Sequence, residues 1–413
     1  MKLGTTVFLG AAGLMALGLL GTMSVEGCSS STNNTTPDGG TGATGATGAT
    51  GDGGATGSTG ATGDSGSQTS TVPPGPPTGG GTATTAEHNF ALHHLHMGDE
   101  STAPWQNFGY NLDGKFTTPA STDVCTLVTN ANKKNQTDGP GGIDNSFGEN
   151  IVGLISAVAA NPSQTITASI IAGKFTVMLD ITGLDDANPT QSATGLSGQI
   201  FGGVPFFQGP NAATAVPKFT TDDNWPLDKT YVTSTINSDN TLAKPVVSKV
   251  TFSGAYVSNG TFVNGAPTDA TMTLSINGVP LTVQIHHAYI TFTHPAAGKA
   301  ASGIIAGVIK TSELVTSLQG VAGNISTAFC SGSAFQQVET SIEQASDIMA
   351  DGTNAAGATC DGISVGLGFD ADEIGLPQVA GEPAAATNPC GTDGGTEAGS
   401  GDDGGTAQDA AGE

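Results

Sequence analysis

Arginine is missing from all 413 residues, so the basic charge rests on 11 lysines set against 36 acids, a net charge of −25. Without guanidinium forks or a basic face, phosphate backbones find little to hold, and nucleic acid is excluded as an expected partner. Aromatic residues are scarce, with 2 Trp, 4 Tyr and 16 Phe, and none of them falls within 29 to 85 or 382 to 413. Segments of that composition cannot bury enough apolar surface to offset chain entropy. No apolar run has the length of a membrane-spanning helix, the longest being 7 to 20. No two cysteines have the short Cys-x-x-Cys spacing that zinc sites favour. Gly-x-Ser-x-Gly, His-Glu-x-x-His, Gly-x-x-x-x-Gly-Lys-Ser/Thr and Ser-x-x-Lys are all absent. Enzymatic activity is therefore not the first expectation.

What is present sorts into four segments. Residues 1 to 27 carry one Lys, an apolar run of signal-peptide length and then small residues, and read as a targeting segment. The run ends in Val25-Glu26-Gly27-Cys28-Ser29, which resembles the lipobox of bacterial lipoproteins. That resemblance implies cleavage before Cys28, lipid on its sulfur, and anchorage to the bilayer of the cell envelope, with the outer membrane preferred. Residues 28 to 85 read as a spacer, 86 to 381 as the globular domain, and 382 to 413 as an acidic, disordered tail. The domain has 25 acids against 10 lysines, an acidity that favours solubility and cation capture.

Within the spacer, glycine occupies every third position from Gly39 to Gly66. The intervening positions are mostly Ala and Thr, with no Pro to pre-set a polyproline II backbone. A flexible coil is expected, and a monomer in preference to a collagen-like trimer. Val72-Pro73-Pro74-Gly75-Pro76-Pro77 is expected to stiffen the linker next to the domain.

Along the domain, Met272, Leu274 and Ile276 alternate with polar residues, Asn277-Gly278 follows, and Val279, Leu281, Val283 and Ile285 alternate again. This predicts a hairpin with a type I′ turn. Strands are also predicted at 175 to 181, 363 to 369, 88 to 97, 198 to 207, 248 to 257, 288 to 293 and 302 to 309. Ser146 and Glu149 have capping-box spacing and open a predicted helix stopped by Asn161-Pro162. A second helix is expected from Ser333 to Gly352, and a shorter one from Ser312 to Ala322. The fold class is α+β or mainly β: an antiparallel, sandwich-like domain with about three helices.

Five cysteines become four once Cys28 is assigned to lipid, a pairable number in an oxidising compartment. Cys330 with Cys360 is the favoured pairing because the two flank one predicted helix, leaving Cys125 with Cys390.

Several clusters have ligand chemistry. Asp138, Asp144 and Asn145 lie in an oxygen-rich, glycine-flexible segment suited to calcium, with the alternative of a turn leading into the helix. Asp370, Asp372 and Glu373, placed just past a strand end, form a second calcium candidate. His94 and His96 point the same way on a strand, as two imidazoles must to share a metal, and His286 and His294 share a face of another. A zinc or copper site built from both segments is a further candidate. Asp222-Asp223-Asn224-Trp225 offers a Trp that either stacks a sugar or anchors a loop. A carboxylate pair such as Asp180 and Asp185 keeps a glycosidase-like reaction open.

Gly109-Tyr110-Asn111-Leu112-Asp113-Gly114, Asp138-Gly139 with Gly142-Ile143-Asp144-Asn145, and Cys360-Asp361-Gly362-Ile363-Ser364-Val365-Gly366-Leu367-Gly368-Phe369 resemble segments of uncharacterised predicted lipoproteins of myxobacteria. The resemblance implies an envelope location and one recurring unit over 86 to 381; it brings no activity. The expected function is a lipid-anchored, ligand-binding and calcium-linked domain, with an envelope hydrolase or a purely structural envelope protein as the alternatives.

Overall fold

The computed structural model of the protein describes residues 69 to 157, 159 to 210, 216 to 276, 279 to 325, 327 to 330, 333 to 383 and 390. The targeting segment, Cys28, the glycine triplets, the Asn277-Gly278 turn and the tail beyond Cys390 lie outside the described residues.

Among the described residues, nine strands of three residues or more build the domain: β1 (Glu87–His96), β2 (Thr176–Thr182), β3 (Ala193–Gly203), β4 (Val250–Ser258), β5 (Thr261–Val263), β6 (Thr268–Ile276), β7 (Val279–Thr293), β8 (Lys299–Lys310) and β9 (Gly362–Ile374). They pair antiparallel in the order β3-β2-β1-β9-β8-β7-β5-β4, and β4 returns to pair with β3. The expected antiparallel, β-rich domain is present, and its two facing walls belong to one sheet that closes on itself. Closure removes the free edges that an open sheet exposes.

β5 and β6 are two halves of one interrupted strand running along β7. Asn264 sits in the gap, where its Oδ1 accepts the Ile290 N–H (3.0 Å) and its Nδ2 donates to the Ala288 carbonyl (3.1 Å). A side-chain amide thus stands in for the missing ladder. The segments predicted at 279 to 285 and 288 to 293 form the single strand β7.

Alternation decides what the barrel encloses. Phe90, Leu92, Val177, Leu179, Ile181, Ile290, Phe292, Val365, Leu367 and Phe369 share the interior core. Ala91, Met178 and Phe201 face outward and join Phe206, Trp225 and Leu227 in a second cluster, formed with the 204 to 246 excursion. Trp225 is 1% exposed and donates its Nε1–H to the Val204 carbonyl (2.6 Å). It anchors this loop, so the sugar-stacking alternative falls.

Four α-helices are described: α1 (Val152–Ser156), α2 (Pro162–Ile171), α3 (Thr311–Ile325) and α4 (Ser333–Glu343). A π-helical turn, Phe147–Ile151, leads into α1. The expected capping box does not form: Ser146 is itself helical and donates its hydroxyl to the Ala345 carbonyl (2.6 Å), while the Gly148 N–H is taken by Asn145 Oδ1 (3.0 Å). Asn161-Pro162 opens α2 instead of merely ending the preceding helix, because proline is pre-organised for the first helical position. Ser163 and Thr167 of α2 accept the Met97 and Leu95 N–H groups, which seats α2 on the far end of β1. The expected helix to Gly352 ends at Glu343, and Ala345 and Ile348 are buried as irregular chain.

Two further expectations are corrected. The disulfides are Cys125–Cys360 and Cys330–Cys390. The backbone beside Cys125 pairs with the chain entering β9: Thr126 N–H donates to Ala358 O (2.7 Å) and Cys360 N–H to Thr126 O (3.0 Å). This contact across 235 residues draws Cys360 away from Cys330. Replacing Cys125 and Cys360 together by alanine is expected to cost about 2 to 5 kcal/mol, read as a lower urea midpoint; an unchanged midpoint would discount the bridge.

The stretch 69 to 85, assigned above to the spacer, is bound to the domain. Gly81–Thr82 pairs in parallel with Ala193 and Thr194, Thr71 N–H donates to Gly141 O (2.8 Å), and Tyr256 Oη–H donates to Pro74 O (2.6 Å). The proline run therefore lies along the domain as docked extended chain.

Candidate functional site

The outward face of β9 explains why two acidic loops can meet. Its outward positions are Gly362, Ser364, Gly366 and Gly368, the inward ones Ile363, Val365, Leu367 and Phe369. A Cβ at Gly366 would lie 2.4 Å from Phe108 O, and one at Gly368 would lie 2.1 Å from the Phe108 ring. The small residues let the 108 to 114 and 138 to 147 loops rest directly on the strand.

Asn145 ties this junction. Its Nδ2 donates toward Trp105 O (3.1 Å), Phe108 O (3.0 Å) and Gly366 O (3.0 Å), and its Oδ1 accepts from Gly148 N–H and Gly366 N–H (2.9 Å). With both ends engaged, Asn145 is a structural tie and leaves the set of calcium donors.

Around it lie four carboxyls near enough to act on one another's charge. Asp144 Oδ2 accepts the Leu112 N–H (2.7 Å), and Asp138 Oδ2 accepts the Thr117 N–H (2.5 Å). Asp113 accepts from Lys115 N–H (2.7 Å) and Asn354 Nδ2 (2.8 Å), and Asp347 from Ser364 N–H (2.8 Å) and its hydroxyl (2.5 Å). The only described lysine here, Lys115, turns its Nζ to the Asn354 carbonyl (2.8 Å) and to Asp123. Burial pushes the Asp138 carboxyl up to about 7, with Asp113 adding to the rise. Asp144 is driven well above the carboxylate range by burial and by Asp113, Asp138 and Asp347, and burial lifts Asp347 to about 7. Two neutral oxygens are also buried here without a partner: Oδ1 of Asn111 and Oγ1 of Thr117. Carboxyls this crowded hold either protons or a cation.

Asp113 and Asp347 are absent from the expected calcium set. Asn111-Leu112-Asp113-Gly114, an acid-and-glycine turn, is the signal that could have added Asp113. Nothing local marks Asp347, which arrives through the link between α4 and β9.

The second calcium candidate does not assemble. Asp370, Asp372 and Glu373 lie within β9, and alternation splits them between its faces. Asp370 Oδ1 accepts the Ser302 N–H (3.0 Å), Asp372 pairs with Lys299 Nζ (2.7 Å), and Glu373 turns inward to His88 Nδ1 (2.8 Å).

The four metal-candidate histidines occupy three neighbourhoods. His94 and His96 stack with ring centroids 4.1 Å apart and share Glu100. His286 is buried between Asp269 (3.2 Å) and Glu313 (3.0 Å). His294, after β7, lies beside His88, Asp185 and Asp186. As for the glycosidase-like pair, Asp180 is buried on the outward face of β2, accepting from Gln199 Nε2 (2.9 Å), and burial raises it to about 6; Asp185 lies beyond the strand end, near His294.

Among the described residues no helix is long and apolar enough to cross a membrane. Compared with family models, curated proteins and solved structures, the chain matches none.

Proposed function

We propose that the protein is a cell-envelope lipoprotein, anchored through lipid on Cys28, whose β-rich domain binds its ligand through a calcium-held loop cluster and carries no catalysis. The observation behind the calcium reading is the mutual influence of Asp113, Asp138, Asp144 and Asp347 beside the unpartnered oxygens of Asn111 and Thr117, while Lys115 Nζ turns to the Asn354 carbonyl. Calcium takes six to eight oxygens, mixing carboxylates with amide, hydroxyl and carbonyl donors, and this junction offers that mixture. Lipid anchorage rests on the lipobox-like run before Cys28. An acidic domain on a glycine-rich tether suits capture of a ligand at the envelope surface.

Calorimetric titration of calcium into the chelator-treated full chain is expected to show one saturable site, weakened at least tenfold by Asp144→Asn. Heat indistinguishable from dilution at millimolar calcium would remove the calcium reading. Cys28→Ala is expected to abolish lipid labelling and release the protein from membranes; retention on membranes would remove the anchor.

A further inference from the structure

The end of the barrel where β1 starts and β7 and β9 finish holds a second donor set, unconnected to the calcium reading. Interior positions on these strands carry Phe90, Phe292 and Phe369, whose rings pack on one another at 5.7 and 6.5 Å. Continuing each inward row toward the barrel end places His88 two residues before Phe90, His294 two after Phe292, and Glu373 two after the inward Ala371. Three strands thus deliver two imidazoles and a carboxylate above an aromatic floor. The loop between β2 and β3 adds Asp186.

His88 Nδ1 lies 2.8 Å from Glu373 Oε1, and His88 Nε2 lies 3.9 Å from Asp186 Oδ1. Donor atoms of these three residues all fall within 4.8 Å of one another. Asp186 is held in place because its Oδ2 accepts the Gly298 N–H (3.0 Å), and Gly298 O in turn accepts the Glu373 N–H (2.9 Å). This is the supporting hydrogen bonding that orients ligands around a metal.

A simple ion pair between His88 and Glu373 would account for part of this arrangement. It leaves His294 unexplained. That ring is 1% exposed, and neither of its nitrogens has a partner. Asp186, Asp185 and His88 are its charged neighbours. A buried imidazole beside carboxylates, with neither nitrogen hydrogen-bonded, adds an unpartnered nitrogen donor to this end of the barrel.

We propose that His88, His294, Asp186 and Glu373 form a zinc-type site at this end of the barrel. Two imidazole nitrogens and two carboxylate oxygens suit a borderline divalent ion such as zinc; magnesium and calcium prefer all-oxygen cages. His88, Asp186 and Glu373 are each partly solvent-exposed, which gives an ion a way in. Bound there, the ion joins β1, β7, β9 and the β2–β3 loop.

The test uses the full chain carrying Cys28→Ala, stripped with chelator and reloaded with zinc or cobalt. One zinc per chain by elemental analysis, and visible absorption of low-symmetry cobalt, are expected. His294→Ala and Glu373→Gln should each weaken zinc binding at least tenfold. The double variant His94→Ala/His96→Ala should keep full zinc affinity, because the stacked pair at Glu100 is a separate cluster. If His294→Ala fails to fold, Asp186→Asn and Glu373→Gln, at partly exposed positions, decide by the same readout. Absence of stoichiometric zinc, or undiminished affinity in the His294, Asp186 and Glu373 variants, overturns the assignment. Loss of zinc in the His94/His96 variant alone moves the site elsewhere and overturns it equally. Asp144→Asn should leave zinc binding unchanged, so this result and the calcium result fail independently.

Discussion

Asn145→Ala is expected to destabilise the domain by about 4 kcal/mol or more, enough to lower the urea midpoint sharply or prevent folding. The side chain serves five backbone groups at a position 2% exposed: the carbonyls of Trp105, Phe108 and Gly366 and the N–H groups of Gly148 and Gly366. Each buried group left unpaired costs roughly 1 to 3 kcal/mol, and water entering the gap recovers only part of that. Asn145→Asp separates structural and ligand roles. A calcium ligand would gain affinity from the added charge, whereas a tie loses its donor and puts a charge beside Gly366 O. The expected outcome is a lower midpoint with no tightening of calcium binding; tighter calcium at an unchanged midpoint would return Asn145 to the ligands.

The second large effect is a pH slope that calcium removes. Asp347 is lifted to about 7 by burial, as is Asp138, and Asp144 is raised further by its carboxyl neighbours. A carboxyl with a folded-state value above its unfolded one binds protons more tightly when folded. Its contribution to stability is therefore greatest near pH 4 and is lost as pH rises through about 7. For the fully buried Asp347 alone, the loss is on the order of 4 kcal/mol. Without calcium, the protein should melt at a lower temperature at pH 8 than at pH 5, against the usual behaviour of acidic groups paired in the native state. Calcium replaces protons at the cluster, so it should raise Tm at pH 8 by roughly 5 °C or more and have little effect at pH 5. Equal melting at both pH values without calcium, or equal calcium shifts at both, would contradict this account.

Much of the architecture was legible in the order of residues. Period-two alternation marked the segments that became β2, β6, β9 and the start of β7, because a wall buried on one side leaves that trace, and strands were also expected where β1, β3, β4 and β8 lie. That the glycines of Gly366-Leu367-Gly368 make room for the Phe108 loop emerged only from the structure. Half of the acidic site was visible in Asp138 and Asp144. The helix boundaries were not, since Asn145 and Asn161-Pro162 offer competing local solutions that only packing arbitrates.

By itself the sequence determined the β-rich class, the acidic character without arginine, the count of four pairable cysteines, and the histidine and aspartate segments that carry ligand chemistry. These are consequences of composition and short-range period. Tertiary structure alone decided that the sheet closes on itself, that Cys125 meets Cys360, that Asp347 acts on Asp138 and Asp144, and that His294 has His88 as a neighbour while His94 and His96 cluster with Glu100. Each depends on residues tens to hundreds of positions apart. Strand register, which no local pattern encodes, brings them within a few ångströms.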